Sequence, residues 1–467
     1  PYAVTEGARM RVATVSTRVG GVPRLIDHGI NGYLIDAGDD EALATHLTAL
    51  ALSPKLRKIM GDRIYEKAKR DFSVQSTCKT QMDIYHSILR RQERKSRKRD
   101  GIIICGAYGR HNAGDDAILE AILMELRGLD PDMPIWVMAR RPNEIAVKYR
   151  ANTIYTFNFF SFLPRMRKTL LYINGGGSLI QDITSRRSLW FYLFTLSSAK
   201  KRGNKVQMYG CGFGPVTRNF NRWLSVRTIN RNVDAITLRE DNSFREMTEL
   251  GITKPNIILS ADPSLVLPAA PAEAVDGLLM SCGIPANGEY IGFTLRKWPG
   301  FQSKIDEFAA AADYAYFQHG LIPLFLPIEP KVDVSAARLG TEKMTAPYYM
   351  LDKLDNSGLT IGILSKMRVV VSMRLHGLVF ASSQGVPLVG VVYDHKVSAF
   401  LDYIGQDLYT DLGALDRDKL FKLIDEAVKR GDDTEDLQKA VARLLSIESI
   451  NTETARTLIE QAASQNH

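Results

Sequence analysis

Apolar and polar positions change rhythm at Gly101. From there on, short runs rich in Ile, Val and Leu alternate with longer stretches of helical spacing. The runs Ile102–Gly106, Ile135–Met138, Thr169–Ile173, Lys205–Tyr209, Ala235–Leu238 and Asn256–Leu259 predict strands, and Ala117–Arg127 predicts the first of the helices between them. A Pro/Ala-rich stretch, Pro268–Pro271, predicts a hinge. Beyond it the rhythm resumes with strands at Tyr290–Leu295, Leu321–Leu326, Arg368–Ser372 and Leu388–Val392, and with helix-compatible spacing over Leu378–Gln384. Alternation of this kind makes a parallel, doubly wound sheet, because joining two parallel strands takes a crossover helix. Two α/β domains, residues 101–270 and 271–467, are therefore expected to face each other across a cleft. The tail, Asp416–Gln465, reads as two amphipathic helices packed on the sheets.

Residues 1–92 follow a different pattern. Gly20-Gly21-Val22-Pro23 and the stretch from His28 to Tyr33 lie between β-prone pieces, and helical stretches Asp40–Leu52 and Pro54–Asp71 follow. The segment is a partial α/β unit that opens in mid-pattern, as expected of a piece of a longer protein. Residues 93–100 join it to the rest as a basic linker, where Arg90, Arg91, Arg94, Lys95, Arg97, Lys98 and Arg99 crowd beside Glu93. Such a run reads as a solvated linker, a membrane-surface contact or a nucleic-acid patch. The first two are the expectation here, with peripheral contact to an anionic membrane and no nucleic acid. The net charge of +8 over 467 residues favours anionic partners. No stretch approaches the roughly 20 apolar residues of a membrane helix. Four cysteines without CxxC spacing indicate neither a zinc site nor a disulfide framework, so no metal is expected and a reduced, cytoplasmic setting fits best.

Candidate chemistry gathers where strands end, since ligands of open α/β sheets bind beyond the carboxyl ends of the strands. The run Ser372-Met373-Arg374-Leu375-His376-Gly377 places a forked cation, Arg374, two residues before a base that titrates near neutrality, His376. After the first strand comes Gly106-Ala107-Tyr108-Gly109-Arg110-His111-Asn112-Ala113-Gly114-Asp115-Asp116. Its glycines and the following helix start suit an anion. Asn112, within that loop, is a candidate ligand contact, and Asp115 or Asp116 either meets a ligand or caps the helix. Asn174-Gly175-Gly176-Gly177 permits close backbone approach to a phosphoryl group, with tight packing as the alternative. Arg239 and Arg296 stand at strand ends of the two domains, Arg239 beside Glu240 and Asp241, which allow a structural ion pair instead. Lys396 follows the strand after His376 and either holds a phosphate or starts a helix in solvent. Asp262-Pro263 shapes a turn.

In order, the pieces "GAYGRHNAGDDAIL", "INGGGSLIQD", "GFGPV", "LREDNS", "ADPSL", "SMRLHGLVFA" and "GVPLVGVVYDHKV" resemble the polysaccharide pyruvyltransferase family, especially its CsaB type, over about Gly101–Gln406. The resemblance implies a GT-B-like fold of two facing Rossmann-like domains. It implies transfer of the enolpyruvyl unit of phosphoenolpyruvate, as a ketal, onto a sugar of a lipid-linked cell-wall polysaccharide precursor. In the CsaB type the sugar is N-acetylmannosamine and the finished polymer anchors S-layer proteins. Phosphoenolpyruvate is then donor substrate and no cofactor is implied. The arginine and histidine of the family's "RLH" motif map onto Arg374 and His376. On this reading Arg374 and Arg239 take the anions of phosphoenolpyruvate, Arg296 and Lys396 the phosphate, and Asn112, Asp116 and the loop Gly175, Gly176, Gly177 the acceptor. Residues 1–92 resemble the end of the nucleotide-sugar domain of retaining GT-B glycosyltransferases, with Glu6 matching the second of that family's paired glutamates. The competing readings are a GT-B glycosyltransferase or epimerase using a nucleotide sugar, and a non-catalytic sugar- or lipid-binding scaffold.

Overall fold

The computed structural model describes residues 2–352, 354, 356–431 and 433–465. The chain divides into two compact units, Pro1–Ser96 and Arg97–His467. In the first, strands Val15–Thr17 and Tyr33–Ile35 pair in parallel, flanked by helices Asp40–Leu52 and Pro54–Asp71 at their expected bounds. A small core of Val22, Leu25, Ile26, Leu34, Ile64 and Ala68 holds it together. The basic run is not one continuous linker. Arg90, Arg91 and Arg94 end helix Val74–Arg94. Arg99 is tied into the second unit, donating to the carbonyls of Thr169 and Met166 and to that of Arg202 at 2.8 Å.

The second unit holds two parallel sheets. Strands β1 (Ile102–Cys105), β2 (Ile135–Ala139), β3 (Asn152–Tyr155), β4 (Leu171–Ile180), β5 (Lys205–Phe213), β6 (Ala235–Leu238) and β7 (Asn256–Leu259) pair in the order β3-β2-β1-β4-β5-β6-β7. Strands β8 (Tyr290–Thr294), β9 (Ile322–Phe325), β10 (Tyr349–Met350), β11 (Met367–Ser372), β12 (Leu388–Val392) and β13 (Tyr409–Asp411) pair as β10-β9-β8-β11-β12-β13. Both orders are doubly wound, with the switch point beside the first strand of each sheet. Central strands are apolar on both faces because helices cover both: Ile102–Cys105 and Val369–Val371 are wholly buried.

Four helices of this unit position the site and the surface beside it: α1 (Ala113–Leu129), α2 (Phe159–Met166), α3 (Arg186–Lys201) and α4 (Asn219–Asn232). In the second domain, α5 (Leu375–Ser383) and α6 (His395–Tyr403) follow β11 and β12. The tail forms three helices rather than two: Arg417–Arg430, Glu435–Glu448 and Ile450–Ser464. The last crosses back onto the first domain's sheet. There Tyr209 and Thr452 share a hydroxyl hydrogen bond of 2.6 Å, and Gln207 donates to the carbonyl of Asn451.

Candidate active site

The carboxyl ends of the two sheets enclose a cleft of about 320 Å³. The loops after β1, β4, β6, β8, β9, β11 and β12 all reach it, as the switch-point rule requires. After β11 the chain is pinned by Ser372, whose hydroxyl donates to the carbonyl of Arg374 at 2.7 Å and accepts from its amide at 3.0 Å. Helix α5 therefore begins at Leu375, three residues earlier than its apolar spacing suggests, and His376 stands in its first turn.

His376 lies across the start of α1. A Cβ at Gly114 would fall 2.0 Å from its Nδ1, so only glycine there lets the imidazole rest on the helix end. Its Nε2 is buried without a hydrogen-bond partner and faces Asp262 Oδ2 at 3.8 Å. Burial pushes the imidazole down to about 4, against the pull of Asp262 and with the help of Arg239, so the ring is neutral at pH 7. Asp262 is the hub of this corner. Its Oδ2 accepts from Arg239 at 2.8 Å, and its Oδ1 accepts from the Ser264 amide at 3.0 Å and hydroxyl at 2.6 Å. Burial alone would raise this carboxyl, yet Arg239, His376 and Ser264 hold it below the usual carboxylate range. The sequence reading gave Asp262 only a turn, because nothing in its neighbours signals that Arg239, 23 residues earlier, returns to it.

The cations separate into two kinds. Arg374 is buried, and its Nε and Nη2 are taken by Asp333 and Glu329: Nε meets both Asp333 oxygens at 3.0 Å, and Nη2 meets Glu329 at 2.9 Å and also Asp333. The fork expected to grip a ligand thus grips two protein carboxylates, leaving only Nη1 without a partner among the described residues. Arg239 is likewise buried between Glu240 at 3.0 Å and Asp262, the structural pairing. Arg296 differs. It stacks on Trp298 and Tyr393 and bonds the Tyr393 hydroxyl at 3.0 Å, with no carboxylate within ion-pair distance among the described residues. Arg110, exposed at the cleft wall and passed over as a ligand in the sequence, also has no carboxylate partner among the described residues. Lys396 lines the cleft and is shared with Asp394 at 3.3 Å.

Neither Asp115 nor Asp116 caps α1, which starts at Ala113. Asn112 does so, accepting from the Gly114 amide at 3.0 Å while lining the cleft. The two aspartates then point apart. Asp115 lines the cleft, and burial, with Asp116 and Glu329 adding, pushes its carboxyl up to about 7. Asp116 lines a separate pocket and faces Lys148 at 3.5 Å. The glycine triplet is not a loop, since β4 runs through it. Gly175 accepts from the buried Tyr108 hydroxyl at 2.9 Å, and a Cβ at Gly176 would fall 2.0 Å from Ile118 Cγ2. Of the three, only Gly177 reaches the cleft, beside Asp115. Asp116, Gly175 and Gly176 are therefore displaced from the site by packing that single-residue reasoning could not see.

Comparison with known proteins agrees with the fold. Over 85 residues the chain is 34% identical to N-acetyl-alpha-D-glucosaminyl L-malate synthase of Bacillus anthracis, which covers 18% of this chain and 22% of that protein. The chain thus spans about a fifth of the length of that curated relative. It is 20% identical to the amylovoran biosynthesis protein AmsJ of Erwinia amylovora over 75% of this chain and 96% of that one. A glycosyltransferase from Rickettsia africae shares the fold, with a TM-score of 0.52 and 10% identity over 78% of this chain and 98% of the other. Residues 1–67 match the family Glycosyl transferases group 1. Residues 112–395, more than half of the chain, match Polysaccharide pyruvyl transferase and include every cleft residue discussed above except Arg110 and Lys396, so the chain belongs to the polysaccharide pyruvyl transferase family.

Proposed function

We propose that the second unit is a polysaccharide pyruvyltransferase that takes phosphoenolpyruvate as donor and joins two hydroxyls of one sugar to the pyruvyl carbon as a ketal. The acceptor is a sugar of a lipid-linked cell-wall polysaccharide precursor, with N-acetylmannosamine the first candidate and anchoring of S-layer proteins the first candidate use of the polymer. The observation that carries the reading is a neutral base and a carboxyl held near neutrality in one cleft with two arginines, Arg296 and Arg110, that have no carboxylate partner among the described residues. Arg296 and Arg110, with Lys396 and Nη1 of Arg374, suit the phosphate and carboxylate of the donor. Nε2 of His376 faces Asp262 at 3.8 Å without a hydrogen bond, and the neutral ring is the base that accepts a hydroxyl proton. Asp115, whose carboxyl burial pushes up to about 7, supplies a proton to the enol methylene from its protonated form. The first sugar hydroxyl attacks the central carbon, the phosphate–carbon bond breaks, and the second hydroxyl closes the ketal. One hydroxyl proton replaces that given by Asp115 and the other leaves with phosphate.

Phosphate release from phosphoenolpyruvate, measured with candidate lipid-linked disaccharides, tests the assignment. A pyruvyltransferase releases inorganic phosphate and adds a pyruvyl ketal to the sugar. Release of a nucleotide from a nucleotide sugar, with no phosphate from phosphoenolpyruvate, would instead assign the cleft to glycosyl transfer or epimerisation.

A further inference from the structure

One face of the first domain is apolar where solvent should meet it. On α2, Phe162 and Met166 turn inward, while Phe159 and Phe160 turn out, Phe160 being 93% exposed. Phe159 packs on Phe194 of α3, and Trp190, one turn before Phe194, donates to Asn221 of α4 at 3.0 Å. Beside Asn221, Phe220 and Trp223 are 59% and 55% exposed. These side chains form one connected aromatic strip over three helices, whereas monomeric proteins rarely leave large contiguous apolar patches bare.

Its charge is as unusual as its apolarity. Residues 155–231 carry thirteen Lys and Arg against one acidic residue, Asp182, and Asp182 is buried, accepting from Thr217 and Asn221. Arg186 and Arg187 flank the strip at the start of α3, and Arg227 lies over Trp223 at 5.6 Å. Among the described residues none of Arg167, Lys168, Arg186, Arg187, Arg222 and Arg227 has a carboxylate within ion-pair distance. Aromatic rings ringed by unpaired cations fit the headgroup layer of an anionic bilayer, where the rings sit at the interface and the cations meet phosphate. A second copy of the same face would be repelled by its own charge. The strip also ends at the cleft: Thr184 and Ser188, at the head of α3, line the cleft, and Ile183 beside them is exposed.

We propose that the face of α2, α3 and α4 docks on an anionic lipid bilayer and holds the cleft mouth at its surface. Its purpose, access to a lipid-linked acceptor, rests on the function proposed above; the docking rests on the surface alone. The expectation of a membrane contact at the basic run 90–99 is thereby moved to another part of the chain. The test is sedimentation of the full chain with phosphatidylglycerol/phosphatidylcholine vesicles, without substrate. Binding should require phosphatidylglycerol and fall at least tenfold in Phe160→Ser/Phe194→Ser/Phe220→Ser, with its circular dichroism and melting unchanged. It should weaken with salt and in Arg186→Gln/Arg187→Gln/Arg227→Gln, and persist in Arg90→Gln/Arg91→Gln/Arg94→Gln. Tryptophan emission should shift blue on binding, and the shift should vanish in Trp190→Phe/Trp223→Phe. Undiminished binding by the folded triple-serine variant would overturn the proposal. So would binding of an RNA oligonucleotide in place of vesicles, which would make the face a nucleic-acid surface. If vesicle binding behaves as stated but phosphoenolpyruvate yields no phosphate, the docking stands and the proposed reaction falls.

Discussion

At the scale of single residues, the cleft distinguishes groups that hold the fold from groups free to act. Removing Arg374 leaves Asp333 and Glu329 facing each other without their cation, and breaking a buried pair costs about 3–5 kcal/mol. Arg374→Ala should therefore melt well below the parent protein in a thermal scan, and its loss of activity will not isolate a donor contact. Arg296→Ala removes no such pair. It should fold normally and lose about ten- to a hundredfold in kcat/KM for phosphoenolpyruvate, the worth of a charged hydrogen bond of ~1.5–3 kcal/mol. In the reaction proposed above, Asp115 and His376 make opposite demands on pH. The base must be neutral, above about 4, and the acid protonated, below about 7, so kcat/KM should follow a bell between those values. Asp115→Asn cannot donate that proton, so it should lose most of kcat, and its residual activity should lack the basic limb. Because the folded Asp115 binds its proton more tightly than the unfolded chain, stability falls as pH rises from about 4 through 7. The asparagine variant should thus gain melting temperature over the parent at pH 8 and gain nothing from this source below pH 4. A flat pH profile, or equal melting shifts at both pH values, would remove Asp115 from this role.

Between elements, the decisive contact is a helix start against an imidazole. Gly114 sits in the first turn of α1 only because His376 leaves no room for a Cβ. Alanine favours a helix over glycine by about 1 kcal/mol, so Gly114→Ala should leave the fold intact. It should also displace the ring and depress kcat as His376→Ala does, by about 10²–10⁴-fold. Kinetics and melting of the two variants side by side check this; full turnover in Gly114→Ala would mean that the ring need not rest there. The same elements show what the sequence could and could not disclose. Central strands were legible because burial on both faces writes an unbroken apolar run, as at Val369–Val371 and Leu388–Val392. Of the four edge strands of the second unit's sheets, Asn256–Leu259 was legible as an apolar run, but Asn152–Tyr155, Tyr349–Met350 and Tyr409–Asp411 were not, since an edge is only partly covered and its residues can look like loop. His376 and Arg374 announced themselves as a local pair. Asp262, Arg110 and the choice of Asp115 over Asp116 depended on which way a turn faces once two domains close, and no local pattern records that. The glycine triplet misled because β4 continues through it at a register shift before Ile180, where Tyr108 and Ile118 fill the space that a side chain would need.

Across the whole molecule, both sheets, every cleft loop and the returning C-terminal helix belong to the unit Arg97–His467. The first unit has two short strands and seven buried residues in its core, and none of the cleft residues. A chain beginning at Arg97 should accordingly fold and keep pyruvyl transfer to a short soluble acceptor. Where the cut is made matters, because the guanidinium of Arg99 donates to the carbonyl of Met166, at the end of α2, and to those of Thr169 and Arg202, each between a helix end and a strand start. Each buried acceptor left without its donor costs about 1–3 kcal/mol. A chain beginning at Asp100 should therefore melt below one beginning at Arg97, by several degrees, while the two share the same kcat at a temperature where both are folded. Equal melting would show that the Arg99 bonds are made equally well by water. Loss of turnover in a folded Arg97–His467 chain would instead mean that the first unit completes the active site, and the division of labour between the units argued here would fail.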